Sequence, residues 1–219
     1  MVEGAIDAVV FDYGGVLTTP LRVSTGAWLA ADRITPDSFA AAMRDWLGRD
    51  APPGSPVHRL ETGELPGPDF ERVFARRLVT EDGSPVVAAG LLDRLFAGMR
   101  VDDAMFDLVA DLRAAGLAVG LLSNSWGNHY PHDLATIFDA VVISGEVGLR
   151  KPDPVIFGLI LDKLAVPAER CVFVDDAPIN VSAAIELGMH AVRHRDAGTT
   201  RAALRALIPG LSASEDVTA

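Results

Sequence analysis

Ala8-Val9-Val10-Phe11-Asp12-Tyr13-Gly14-Gly15-Val16-Leu17 is the stretch on which the reading of the whole chain turns. An apolar run ends on a carboxylate, and two glycines follow at once. Strand, acid and a backbone free to turn sharply is how an α/β protein presents a reactive group at a strand's C-terminal end. A buried strand closed by an ordinary Asp-Gly-type turn would carry the same letters. The rest of the chain decides between the two.

Outward from that stretch, residues 5–12 read as the first strand. Residues 18–100 read as helical segments broken by Pro/Gly loops: Ser24–Asp32, Pro36–Leu47, Pro56–Thr62, Asp69–Leu78 and Pro85–Met99. The breaks Ala51-Pro52-Pro53-Gly54-Ser55-Pro56 and Leu65-Pro66-Gly67-Pro68 are loop chemistry. No part of the segment is patterned as a strand, so it reads as an all-helical insertion. From residue 101 the pattern changes to βα alternation. Asp102 and Asp103 open a helix whose Met105, Val109 and Leu112 share a face, with Gly116 as its C-terminal stop. Leu117–Leu122 and Ala140–Ile143 follow as strands. Asp153 caps a helix that has Pro154 at its first position. Strand Cys171–Val174, helix Pro178–Leu187, strand His190–Arg193 and helix Thr199–Leu207 complete the order, and 211–219 reads as a disordered tail.

The order predicts an α/β fold: a doubly wound, Rossmann-like, five-stranded parallel sheet with an all-helical cap inserted after the first strand. The expected division is 1–17 with 101–210 as the core and 18–100 as the cap. In such sheets ligands gather beyond the strand C-termini, where the strand order reverses. Asp12, then Ser123 and Asn124, then Ser144 and Gly145 leading to Lys151, then Asp175 and Asp176 all fall at that edge. An Asp pair, a Ser-Asn turn or a Lys-Pro step is unremarkable alone. Their collection at one edge is not.

The 219 residues carry a net charge of −11, which argues against nucleic acid or an anionic membrane as a partner. No apolar run approaches the ~20 residues of a membrane helix, and the first strand starts too early for a signal peptide, so a cytoplasmic location is expected. The single Cys171 sits in an apolar run and reads as core. The only two lysines are Lys151 and Lys163, against 17 arginines. A lysine where arginine is the rule hints at a specific need at Lys151.

Four motifs now stand in order: Phe11-Asp12-Tyr13-Gly14-Gly15-Val16-Leu17; Leu121-Leu122-Ser123-Asn124; Gly148-Leu149-Arg150-Lys151-Pro152-Asp153; and Val174-Asp175-Asp176-Ala177-Pro178-Ile179-Asn180-Val181. Together they resemble the haloacid dehalogenase superfamily of hydrolases, over residues 5 to about 207, with an insertion similar to the small helical cap of one subgroup. The resemblance implies that Asp12 is a nucleophile forming an aspartyl-phosphate. It implies Mg²⁺ held by Asp12, the carbonyl of Gly14 and Asp176, with Asp175 binding directly or through water and Asn180 ordering the metal's water shell. Ser123 and Asn124 would hold the phosphoryl oxygens, and Lys151 would supply a fixed charge beside carboxylate and phosphate. The implied ligand is a small phosphorylated metabolite, handled by a monomer or homodimer.

One position departs from the family's phosphatases. They carry a second aspartate two residues after the nucleophile, where this chain has Gly14. The family's dehalogenases also lack that acid, having a Tyr-Gly like Tyr13-Gly14, and use no metal. A metal-independent 2-haloacid dehalogenase is therefore one alternative, and a non-catalytic metal- and phosphate-binding regulatory module is another. Side-by-side acids at Asp175-Asp176 favour a bound cation and hence the phosphatase. The Asp-x-Gly form, with the cap phrase Glu61-Thr62-Gly63-Glu64-Leu65, is similar to sugar-1-phosphate phosphatases, whose activated leaving groups need less protonation. Thr18, Thr19, His129 or water are the candidates for any acid/base role. Arg22, Arg44, Arg59 and Arg72 are the cap's candidate substrate contacts.

Overall fold

The computed structural model describes residues 5–47, 52 and 54–211; Ala51 and Pro53 of the first Pro/Gly loop and residues 212–219 of the tail fall outside that set. Strand β1 (Ala8–Phe11) is followed by helices α1 (Leu21–Ala31), α2 (Pro36–Leu47), α3 (Pro56–Glu61), α4 (Gly67–Ala75) and α5 (Leu91–Phe96). Next come α6 (Asp103–Ala114), β2 (Ala118–Ser123), α7 (Leu134–Ile137), β3 (Ala140–Ile143) and α8 (Ser144–Val147). The chain closes with α9 (Pro154–Leu164), β4 (Cys171–Asp175), α10 (Pro178–Glu186), β5 (His190–Arg193) and α11 (Ala197–Leu207).

The five strands form one parallel sheet in the order β3-β2-β1-β4-β5. All four residues of β1 are fully buried, as a central strand covered on both faces requires. Its alternate side chains feed two cores. Val9 and Phe11 join Met105, Leu108 and Leu112 of α6 and Leu204 of α11. Ala8 and Val10 join Phe173, Ile156, Phe157 and Ile160 on the opposite face. Phe11 lies level with Leu121 of β2 and Val174 of β4. That register brings Asp12, Ser123 and Asp175 to one edge, on either side of the reversal in strand order. Local sequence sets the helix starts: Asp102, Asp153 and Asp196 each cap a following backbone N–H with their side chains.

Residues 28–95 build a third apolar centre, from Trp28, Trp46, Phe70, Phe74, Leu91, Leu95 and their neighbours. Phe74 is its hub, with ring centroids of Trp28, Phe39, Trp46 and Phe70 between 5.4 and 6.3 Å away. One helix expected here is much shorter than its sequence suggests. Of Pro85–Met99 only Leu91–Phe96 is helical, because Gly90 turns into the left-handed region at φ 66° just before it. Glu71, from α4, accepts the backbone N–H groups of Gly90 and Leu92 and so fixes that start from a distance. The helical segment also contains one isolated antiparallel bridge, Ile34 to Thr80, that its sequence does not announce.

Two connections tie this segment to the sheet. At its base, Thr18 bridges to Val101, and Thr19 exchanges hydrogen bonds with the backbone of Arg100. At its tip, Glu61 pairs with Arg150 at 2.6 Å while its carbonyl accepts from Ser144 Oγ. Gly63 (φ 75°) lies so close to Gly145 that a Cβ there would meet the Gly145 carbonyl oxygen at 2.6 Å. Among the described residues no helix is long and apolar enough to cross a membrane.

Truncation of the aromatic hub isolates the contribution of the third apolar centre. Phe74→Ala should cost about 3–5 kcal/mol of stability, the range for deleting a buried phenyl ring, measured by urea denaturation followed by tryptophan fluorescence. A loss under about 1 kcal/mol would contradict this packing.

Candidate active site

Asp12 leaves β1 with its backbone N–H still bonded to the Val174 carbonyl at 2.9 Å, so the sheet itself holds the carboxylate in place. The chain must then turn at once. Gly15 takes φ 80°, and a Cβ at that position would lie 2.8 Å from Asp176 Oδ2. Glycine is required there twice over, by conformation and by the approach of the acid. Gly14 is different: its φ is not positive, and a Cβ would meet nothing within 4 Å. The turn is closed by Thr18, whose hydroxyl accepts the Gly15 N–H and donates to the Thr19 carbonyl.

Lys151 projects into this edge and is 1% exposed. Its ammonium donates to Asp12 Oδ1 at 2.6 Å and to Asp175 Oδ2 at 2.8 Å, and its Nζ stands 5.4 Å from the centre of the Phe173 ring. Burial acts to lower the lysine's pKa, but Asp12 and Asp175 more than reverse that pull and hold it above the ordinary value. Burial pushes Asp12 up, with Asp175 and Asp176 adding to the rise and Lys151 opposing it. Burial and the adjacent Asp175 likewise raise Asp176.

The three carboxylates each offer an oxygen within 4.8 Å of the others. The Lys151 ammonium bonds Asp12 and Asp175 but not Asp176, and the upward push on Asp12 and Asp176 is that of a cluster short of positive charge. A divalent cation with hard oxygen preference matches that donor set. The acids are not equivalent. Asp175 is fully buried and its oxygens are already engaged, Oδ1 by the Ala177 N–H and Oδ2 by Lys151 and Asn180. Asp176, partly open to solvent, and Asp12 are the better placed to hold a metal.

The structure places the other expected site residues as follows. Asn124, expected at the substrate, spends both ends of its amide on the backbone of Lys151: Oδ1 accepts the Lys151 N–H at 2.8 Å, and Nδ2 donates to its carbonyl at 3.1 Å. The side-chain amide thereby holds the backbone of the lysine. Asn180, expected to order metal-bound water, donates to Asp175. His129 is exposed, with its ring 6.3 Å from Trp126. Arg22, Arg44, Arg59 and Arg72 are all exposed, with Arg59 near Glu64 and Arg72 paired to Asp69. Ser123 is buried at the end of β2, where it accepts a hydrogen bond from Tyr130 at 2.8 Å. Tyr130 went unnoticed in the sequence because it lies on an irregular loop with no periodic or motif signal. The Glu61–Arg150 pair was hidden because its partners are 89 positions apart.

The family profile of the haloacid dehalogenase-like hydrolases matches residues 6–188. The chain belongs to this family. It is 31% identical over 195 residues to acyl-CoA dehydrogenase family member 10 of Mus musculus, a match covering 85% of this chain and 18% of that protein. It is 31% identical over 193 residues to flavin mononucleotide hydrolase 1 of Arabidopsis thaliana, covering 77% and 76% respectively. The chain spans less than half the length of several relatives it matches, the mouse protein among them. Its fold is similar to a haloacid dehalogenase family enzyme of Bacteroides thetaiotaomicron crystallised with magnesium and inorganic phosphate. The TM-score is 0.66 at 19% identity, over 87% of this chain and 95% of the other.

Two substitutions probe this hydrolase site. Lys151→Met leaves buried acids without their cation and should destabilise the metal-free protein by about 3–5 kcal/mol at neutral pH. Because the stranded acids lose their charge on protonation, the deficit should shrink as pH falls and grow as it rises. Urea denaturation at a series of pH values reads both. Gly15→Ala should cost about 1–2 kcal/mol from its positive φ alone, and should also displace Asp176, which a weakened response to divalent cations would report.

Proposed function

We propose that this hydrolase is a Mg²⁺-dependent phosphatase acting on a small phosphorylated metabolite, with a preference for activated phosphoesters such as sugar 1-phosphates. The observation that carries the reading is the gathering of Asp12, Asp175 and Asp176, each with an oxygen within 4.8 Å of the others, while the Lys151 ammonium bonds only Asp12 and Asp175. A haloacid substrate brings one negative charge and would need no such surplus of acids. A phosphorylated substrate brings its own dianion and needs a cation to approach them. The flavin mononucleotide hydrolase relative and the magnesium- and phosphate-bound neighbour are in keeping with this chemistry.

Asp12, Asp176 and the carbonyl of Gly14 would hold the metal, with Asp175 beside them tied to Lys151 and Asn180. When bound, Mg²⁺ supplies charge neutralisation for the acids and the phosphoryl oxygens. Asp12 then serves as nucleophile: a carboxylate oxygen bonds to phosphorus, and the bond from phosphorus to the leaving oxygen breaks. Lys151 holds Asp12 in place and screens it from the incoming dianion. Ser123 donates to a phosphoryl oxygen. Water then attacks the aspartyl-phosphate, releasing inorganic phosphate and restoring the carboxylate.

Gly14 shapes the substrate choice. Protonation of the leaving oxygen is worth ~10²–10⁴-fold, and glycine has no proton to give. The Thr18 hydroxyl is committed to the turn, and His129 lies out beside Trp126. A leaving group of low basicity, such as an anomeric or acyl oxygen, departs without that help. An alkoxide departs more slowly.

A panel of phosphorylated metabolites assayed with Mg²⁺ and with EDTA tests the reading. Sugar 1-phosphates or acyl phosphates should turn over faster than alkyl phosphates, and only with the metal. Asp12→Asn should lower the rate by about 10³-fold or more. Gly14→Asp, for which the turn has room, should raise alkyl-phosphate hydrolysis about 10-fold or more. Release of chloride from 2-chloropropionate in EDTA, with no phosphoester consumed, would establish the dehalogenase instead. Tight phosphate binding with no turnover of any substrate would establish the regulatory module.

A further inference from the structure

Ser123 is the one proposed phosphoryl contact whose usefulness depends on where a single hydrogen points. A serine hydroxyl carries one proton and two acceptor sites, and it rotates toward the best acceptor nearby. Here Oγ accepts from Tyr130 at 2.8 Å. Tyr130 is itself held: its ring meets the Tyr13 ring edge-on, with centroids 4.3 Å apart, and packs against the core beneath β1. Tyr13 follows the nucleophile directly, so the turn that places Asp12 also places the phenol.

We propose that Tyr130 is a positioning residue for phosphoryl binding, donating its phenolic proton to Ser123 so that the serine's own proton is left to a bound oxyanion beside Asp12 and Lys151. The inference rests on the phosphatase reading above. Burial raises the Tyr130 pKa, against opposing pulls from Ser123 and Ser125, so the phenol stays protonated and able to donate near neutral pH. A hydroxyl that already accepts one hydrogen bond is also the better donor, since chained hydrogen bonds polarise one another. Without the phenol, the Ser123 proton would have to be oriented by the ligand alone, at a cost in binding.

Tyr130→Phe keeps the ring against Tyr13 and removes only the donor. The test is a four-protein cycle, titrating orthovanadate calorimetrically into the Mg²⁺-loaded full chain: wild type, Tyr130→Phe, Ser123→Ala and the double variant. Tyr130→Phe should weaken vanadate about 5- to 20-fold, in line with one lost hydrogen bond. In the Ser123→Ala background the same change should have less than a twofold effect. A role confined to packing would give equal losses in both backgrounds, and that result would overturn the proposal, as would wild-type affinity in Tyr130→Phe. If the wild type binds no vanadate, the phosphatase reading falls and this role falls with it, an outcome distinct from the other two.

Discussion

The Lys151 ammonium between Asp12 and Asp175 is the contact on which the site depends. It joins the ends of two neighbouring strands, β1 and β4, through a side chain supplied by a loop that neither strand contains. Such a buried contact is favourable only if each charge meets several partners. The structure supplies them: Asn124 grips the backbone of Lys151, Asn180 and the Ala177 N–H share Asp175, and the sheet holds the Asp12 backbone. Removing any of these would loosen the geometry without touching the reacting atoms.

What the lysine does not do is equally informative. One positive charge cannot balance three acids, and the third, Asp176, is drawn in closely enough to demand glycine at residue 15. A protein that wanted only stability would have no use for that crowding. The surplus is a standing attraction for a cation, which under the proposed phosphatase reading would in turn admit a phosphate. The site is therefore poised between two kinds of charge, with Asp12 at the junction. Gly14 then decides what the junction can accomplish, because the open space beside it holds no acid.

Much of this was legible in the sequence because strand ends are marked locally. Asp12 ends an apolar run and meets a double glycine; Asp175 and Asp176 end another and meet Pro178; Lys151 precedes Pro152. The parallel sheet followed from alternating elements, each bounded by a capping Asp or a Gly stop. The rest was illegible for a physical reason: it depends on contacts between chain segments that carry no periodicity. Tyr130 and Ser123 meet through an irregular loop. Glu61 and Arg150 meet across the insertion. Asn124 meets the backbone of Lys151, 27 residues away, through its side-chain amide. Pro85–Met99 looked helical by composition, but the distant Glu71 and the left-handed Gly90 set its true start.

The claim underlying all of this is that the acid cluster has a net demand for one divalent cation that Lys151 leaves unmet. Calorimetric titration of Mg²⁺ into the full chain at neutral pH measures that demand without assuming any substrate. A single saturable site is expected, lost in Asp176→Asn while the fold and stability persist. Equal Mg²⁺ binding by the wild type and Asp176→Asn, or none by either, would contradict it.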